Sequence, residues 1–431
     1  MLTLRWRHTI RMALLLCIPC LLVACQGVAS PAPTTPSPSQ RLLTLWHALP
    51  PKQARVLQDI ADEWALRQGP DVRVRLERSP NEETLHQKLL AAIQTEMPPT
   101  LALVRPPDIA TYVEADVLLP LDTLLEEESG EAVGDEDYYM HFFDSLRYPE
   151  AQNALYAWPV HRYQTLLFMN RTRVTELGGE LPLDSWEEFV QLCAAHREAG
   201  GENCLAAFPT GSVALLWLWS HGGEVVDESG QEPAFLGEAG ESAMRWLAAL
   251  RAVDGLHQVP THDAKVDAFV SSNTLFTFDS TAAIPMYQAR INSAFDMAVI
   301  PPPSTNGEPV TLATGGNVAI FHSDPEMQEM AKDFLRFWTS TESNYRWAEA
   351  LDAYPVRRSA MERLIAQWPK SSSLRQASEW LPFSRSKPLL AKLPEVEQAL
   401  AEAMLSTING QSTPQEALEE AVQRTQGLLQ P

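Results

Sequence analysis

Carboxylates are the commonest chemistry-bearing groups in this sequence, and several come in runs: Glu82-Glu83, Glu126-Glu127-Glu128 and Asp135-Glu136-Asp137. A glycosidase needs two carboxyls set across a cleft. The run from Glu126 to Asp137, with Ser129, Gly130 and Gly134 inside it, reads more simply as a solvated acidic loop. The ten histidines include no HExxH pair. Cys193 and Cys204 sit in no CxxC, and neither a GxSxG elbow nor a GxxxxGK[ST] loop occurs. The sequence therefore points to no catalytic constellation, metal site or cofactor, and we expect a protein that is not an enzyme.

Aromatic residues are more informative. Trp46, Trp158, Tyr163, Trp217, Trp219 and Tyr354 lie at or beside junctions of expected strands and loops. In open α/β sheets, ligands sit at the carboxyl ends of strands. A sugar stacks its apolar face on such rings while neighbouring polar groups take its hydroxyls. Taken singly, each ring reads more simply as core packing.

The elements that would position these residues alternate. Leu42–His47 is an apolar strand, followed by a helix whose Val56, Ile60 and Trp64 recur every four residues. Asp71–Glu77 alternates Val72, Val74 and Leu76 with charges, as a half-buried strand does. A helix over about 82–94 places Leu85, Leu89 and Ile93 on one stripe. Pro98-Pro99 stop it, and strand 100–104 follows. Later strands are expected at 165–169, 275–278 and 317–321. Ser185 and Glu188 form a capping box that opens a helix burying Phe189, Leu192 and Cys193. Ser323-Asp324-Pro325-Glu326 starts another helix, with Ala331, Phe334, Leu335 and Trp338 inward. The chain from about 388 to 429 is mostly helical. This order predicts an α/β fold with a mainly parallel sheet.

The N-terminus reads as an address. Arg5, Arg7 and Arg11 precede the uncharged run 12–24, too short for a typical membrane span. Leu22-Val23-Ala24-Cys25 resembles the lipobox of bacterial lipoproteins, so lipidation is expected at Cys25. Residues 26–40 carry Pro31, Pro33, Pro36 and Pro38 among Ser, Thr and Ala. They form a stalk of about 45 Å if fully extended. No later stretch has 18 uninterrupted apolar residues. Of the 431 residues, 33 are Lys or Arg and 55 are Asp or Glu, a net charge of −22. Losing residues 1–24 removes three arginines and no acids, which leaves −25. Such a chain is a poor nucleic-acid binder. The cysteines left in the body, Cys193 and Cys204, are either one disulfide or two buried thiols.

Six segments together resemble the extracellular solute-binding proteins of bacterial ABC importers, in the family that binds sugars. They are LTLWHAL at 43–49, the run 88–116, WPVHRYQTLLFMN at 158–170, WLWSHGGEV at 217–225, TGGNVAIF at 314–321 and the run 331–357. They follow family order across nearly all of 41–431. The nearest likeness is to the glycerol-3-phosphate-binding members, but it fails at their ligand positions. Glu82 stands where those have a tyrosine, Tyr163 where they have a phosphate-binding serine, and Glu397 near their ligand-binding arginine. A carboxylate would repel a phosphate, so a neutral sugar or oligosaccharide is the expected ligand.

The resemblance implies a two-lobe, type II binding-protein fold with the ligand in the cleft between lobes. Three crossings would lie near 160–163, 278–282 and 351–354. Lobe one would comprise 41–161 and 281–350, and lobe two 162–280 and 351–431. It implies ligand contacts from Trp46, His47, Tyr163, Gln164, Trp219, Ser280, Gly315, Gly316 and Tyr354, with Arg105 and Asp108 as weaker candidates. It also implies a monomer that hands its ligand to permease subunits of an ABC importer while held to the outer face of the cell membrane by lipid. A surface glycosidase on the same stalk, or the ligand-binding partner of a membrane sensor, are the alternatives.

Overall fold

The computed structural model describes residues 41–129, 137–148, 151, 153–227, 229–272 and 274–429. The expected lipid cysteine Cys25 and the stalk at 26–40 lie outside the described residues. The strands are β1 (Arg41–His47), β2 (Val72–Arg78), β3 (Leu101–Val104), β4 (Arg147–Tyr148), β5 (Ala154–Leu155), β6 (Trp158–Pro159) and β7 (Tyr163–Asn170). They continue as β8 (Leu205–Ala207), β9 (Leu256–Gln258), β10 (Phe276–Ser280), β11 (Met297–Ile300), β12 (Thr311–Thr314), β13 (Asn317–Ile320) and β14 (Ser384–Ser386). Two main sheets result. One runs β2-β1-β3-β13-β6 and the other β14-β12-β7-β10-β8-β9, with β11 also on β7. Strands β4 and β5 pair with each other alone.

Helices pack on both sheets because their apolar stripes leave no other place to go. Helix Pro51–Gln68 buries Leu57, Ile60, Ala61, Trp64 and Ala65. Helix Pro325–Trp338 starts at the Asp324 cap and buries Phe334, Leu335 and Trp338. Each large side chain so buried stabilises by roughly 1.5–3 kcal/mol. One core gathers Leu43, Leu101, Trp158 and Trp338. A second gathers Phe189, Trp217, Phe276 and Leu400. Among the described residues no helix is long and apolar enough to cross a membrane.

The strands and helices expected from the sequence form within a residue or two of their expected bounds, but three expectations change. The sheets are mixed: β1 lies parallel to β2 and β3, whereas β13 runs antiparallel to β3 and β6. In the second sheet β7 is antiparallel to β10, β11 and β12. β13, returning from the second sheet, enters the first against the direction of β3, whereas β14 joins the second sheet parallel to β12.

The second change concerns the crossings. The segment at 278–282 ends β10 and leads by helix Ile284–Ile291 to β11, still in the second sheet. The return to the first sheet occurs at Gly315-Gly316, between β12 of the second sheet and β13 of the first. So β11 and β12, expected in lobe one, are hydrogen-bonded in the second sheet. The core that holds Val356, Met361 and Leu374 also holds Leu166, Phe168 and Val299 of the second sheet, so it spans both lobes.

The third change is local. Ser185 Oγ accepts from the Glu188 amide at 3.1 Å, but Glu188 reaches the amide of Asp184 rather than that of Ser185. Cys193 and Cys204 are disulfide-bonded, with Cα atoms 5.1 Å apart, which joins helix Trp186–Glu198 to the loop entering β8.

Candidate functional site

A cavity of about 600 Å³ opens where the two sheets meet. The first sheet contributes the ends of its strands: Ala48 to Pro50 after β1, and Leu103 to Asp108 at and after β3. Helix Glu82–Gln94 turns Glu82, Leu85, His86 and Leu89 to it, the i, i+3, i+4, i+7 spacing of one helix face. The second sheet supplies Ala313 and Ser386, and Pro394 and Glu397 come from the start of helix Leu393–Asn409. The first and second crossings, 161–163 and Gly315-Gly316, also line it.

The glycines at the crossing are required by close approach. A Cβ on Gly315 would stand 2.1 Å from the His161 carbonyl oxygen. One on Gly316 would stand 2.5 Å from the His161 ring. The two crossings are therefore pressed together backbone to backbone. Arg162, 3 % exposed, ties them further. Its guanidinium donates to the carbonyls of His161, Gly316 and Phe142 at 3.0–3.2 Å. Burial pushes it down to about 9, still protonated at neutral pH. Arg162 and Tyr354 exchange backbone hydrogen bonds of 2.8 Å, which joins the first crossing to the third.

Two ion pairs stand in the cavity wall, beside two ions without an ion-pair partner among the described residues, Glu82 and the carbonyl-bound Arg162. Arg105 grips Asp108 with two bonds of 2.8 Å, and Lys387 Nζ lies 2.5 Å from Glu397 Oε1. A glycine at 211 lets Glu397 pack there, since a Cβ would meet Glu397 Cβ at 2.5 Å. His86 Nδ1 lies 2.7 Å from the Tyr112 hydroxyl and 3.3 Å from Asp108. The His161 imidazole is held down at about 3, first by burial and then by Arg162; its Nδ1 accepts from the Trp347 indole. The arrangement offers hydrogen-bonding groups within aliphatic and proline walls, and no nucleophile beside a base. Among the described residues, no group of three His, Cys, Asp or Glu could hold a metal ion.

Of the residues expected at the ligand, Tyr163, Gly315, Gly316, Arg105 and Asp108 do line the cavity. Six do not. Trp46 lies beneath Lys88 Nζ, 3.7 Å from its ring. His47 is 1 % exposed and accepts from the Leu49 amide. Gln164 is wholly buried, and its Nε2 donates to Thr311 and Ser384, stitching β7 to β12 and β14. Trp219 is covered by the Arg385 guanidinium, 4.4 Å from its ring. Ser280 Oγ caps the turn after β10 by accepting from Ala282. Tyr354 is buried and donates to the Leu374 carbonyl. In each case a local partner consumes the polar group or covers the ring.

The sequence reading missed His86, Arg162, Asn317, Ser386 and Lys387 as lining residues. His86 could have been found, since it shares a helix face with Glu82, Leu85 and Leu89. Asn317 directly follows the glycine pair. Glu82 and Glu397, met only as departures from the resemblance, both stand in the wall.

The family model for bacterial extracellular solute-binding proteins matches residues 61–375. The chain belongs to that family. The galactooligosaccharide-binding protein of Bacillus subtilis (strain 168) is 24% identical over 298 residues, 66% of this chain and 68% of that protein. Among solved structures, the sugar-binding protein MalE of Xanthomonas citri superposes with a TM-score of 0.78 at 18% identity, covering 90% of this chain and 97% of that one. UgpB of Mycobacterium tuberculosis in complex with glycerophosphocholine gives 0.72 at 18%, covering 90% and 98%. This solute-binding protein thus has the two-lobe fold of periplasmic binding proteins and works outside the cytoplasm.

Proposed function

We propose that this solute-binding protein captures a neutral sugar or oligosaccharide in the cavity between its sheets and delivers it, chemically unchanged, to the permease of an ABC importer. The observation that carries this is the balance of the cavity's charges. Arg105 with Asp108, and Lys387 with Glu397, form two closed pairs, and the remaining ions, Glu82 and Arg162, are single charges of opposite sign, so the wall as a whole offers no net charge to attract an ionic ligand. A polyhydroxylated ligand can bond to paired ions without breaking them, because carboxylate oxygens and guanidinium or ammonium groups keep unused acceptor and donor sites. Tyr163 is the one Phe, Tyr or Trp in the lining, so stacking has a single platform and hydrogen bonds must do most of the selecting. The Bacillus subtilis and Xanthomonas citri relatives are named for sugars, which supports the same class. Lipid attached at Cys25 and the stalk at 26–40 would hold the protein at the membrane as a monomer.

The test is calorimetric titration of residues 26–431 with galactotriose and maltotriose, and with glycerophosphocholine as the ionic competitor. We expect reversible saccharide binding and full chromatographic recovery of intact saccharide. Preference for glycerophosphocholine would overturn the neutral-sugar reading, and released fragments would favour a glycosidase.

A further inference from the structure

Many polar groups in the cavity wall already have a protein partner. Arg105 and Asp108 hold each other, as do Lys387 and Glu397. His86 meets Tyr112, and the Tyr163 hydroxyl donates to the Leu351 carbonyl. Three buried polar atoms of the lining lack a hydrogen-bond partner; one, Glu397 Oε1, faces the Lys387 ammonium, and the other two stand apart. Asn317 Oδ1 and Ser386 Oγ are both buried and have no hydrogen-bond partner. Such orphans are rare in native proteins, and each destabilises the fold that keeps it.

Their places in the fold are complementary. Asn317 opens β13 in the first sheet, opposite Val104 and Pro159, and is 2 % exposed. Ser386 closes β14 in the second sheet, opposite Ala313 of β12. The Gly315-Gly316 crossing separates β13, which holds Asn317, from β12, the strand on which Ser386 pairs. One orphan therefore belongs to each wall of the same cavity.

We infer that Asn317 and Ser386 are the pair of ligand-selecting residues that bond hydroxyl groups of one ligand from opposite walls, coupling its capture to the approach of the two lobes. The chemistry is specific. A side-chain carbonyl oxygen only accepts, so Asn317 Oδ1 requires a donor. An alcohol or an ammonium group supplies one, whereas a phosphate dianion or a carboxylate does not. The Ser386 hydroxyl both donates and accepts, so it takes a second hydroxyl in either sense. A ligand that satisfies only one of them leaves the other unpaired in a closed, dry site, which penalises closure around ligands that lack the second hydroxyl. This inference rests on the reading of the cavity as a site for a polyhydroxylated ligand.

The experiment compares residues 26–431 carrying Asn317→Leu or Ser386→Ala with the unaltered protein, in two measurements. The first is the melting temperature without ligand. Removing an orphan polar group should leave it unchanged or raise it. The second is calorimetric affinity for galactotriose, maltotriose and glycerophosphocholine. We expect at least about a tenfold loss for each variant with whichever probe the unaltered protein binds. We also expect a smaller loss in the variant than in the unaltered protein when that probe is replaced by its deoxy analogues. A fall in the unliganded melting temperature would mean that the group serves the fold, and would overturn the inference. So would unchanged affinity. Binding of glycerophosphocholine alone would sink the neutral-sugar reading, yet its glycerol hydroxyls would still decide the role of the pair by the same loss. If no probe binds, the functional reading falls and the inference that rests on it falls with it, whereas unchanged affinity of the variants for a probe that the unaltered protein binds overturns the inference alone.

Discussion

Gly315 shows how much one side chain can decide. Adding a single methyl group there brings it to 2.1 Å from the His161 carbonyl oxygen, a backbone atom that cannot rotate away. The crossings must separate, and that strains the three carbonyl bonds of Arg162 along with them. Overpacking of this kind costs about 1–3 kcal/mol. We expect Gly315→Ala to lower unfolding free energy by at least that amount in urea titrations, and to weaken ligand binding because the cavity floor moves. A variant as stable as the parent would show that the crossing can spread freely. Gly211→Ala tests the same logic on the far wall, where the added methyl meets Glu397 Cβ at 2.5 Å, an atom fixed to the helix backbone, so helix Leu393–Asn409 must shift there too.

Elements rather than residues carry the lobe architecture. Helix Trp186–Glu198 and the entry to β8 are joined by Cys193–Cys204, closing a loop with a sequence separation of 11. In the chain-entropy view a loop of that size is worth about 3 kcal/mol. Replacing both cysteines by serine should cost roughly that in guanidinium unfolding, with the loss confined to the second core and the cavity's affinity largely kept. An equal loss of affinity would place the bond in control of the cleft. This scale is also where the sequence was most legible. Strand and helix positions follow from short-range periodicity, and Val56, Ile60 and Trp64 or Val72, Val74 and Leu76 declare theirs directly. Sheet membership does not. Whether β11 and β12 pair in one sheet or the other depends on partners more than a hundred residues away, and no local pattern in 297–314 records it. The same limit explains the aromatic misreadings. Trp46 and Trp219 stand near strand or helix ends as expected, but Lys88 and Arg385, which cover them, come from other elements. Tyr163 was legible because it belongs to an expected crossing, whereas the glycine pair was named as a ligand contact although no crossing was expected there.

At the scale of the whole molecule, acid sets two effects against each other. Burial holds four histidines well below their ordinary range: His47 at about 4, aided by Arg78; His141 at about 4, aided by Arg162 and Arg358; His161 at about 3, aided by Arg162; and His221 at about 4. Their pKa values in the folded state lie below the unfolded value of about 6.5. Below that pH the unfolded chain therefore binds more protons than the folded one. Stability is full above pH 6.5 and drains as pH falls toward 4. Each histidine contributes a slope of at most about 1.4 kcal/mol per pH unit. The opposing effect is relief of self-repulsion in a chain with a net charge of −22. Carboxylates titrate mostly below pH 5, so this relief is small between pH 6.5 and 5. In that window the histidines win. We expect urea midpoints to fall steadily from pH 7 to 5, by several kcal/mol of unfolding free energy in all. His161→Gln should keep its fold and flatten the slope by about one proton. Stability that holds or rises on acidification to pH 5 would mean that these imidazoles gain water or acidic partners that the folded core, as described, denies them.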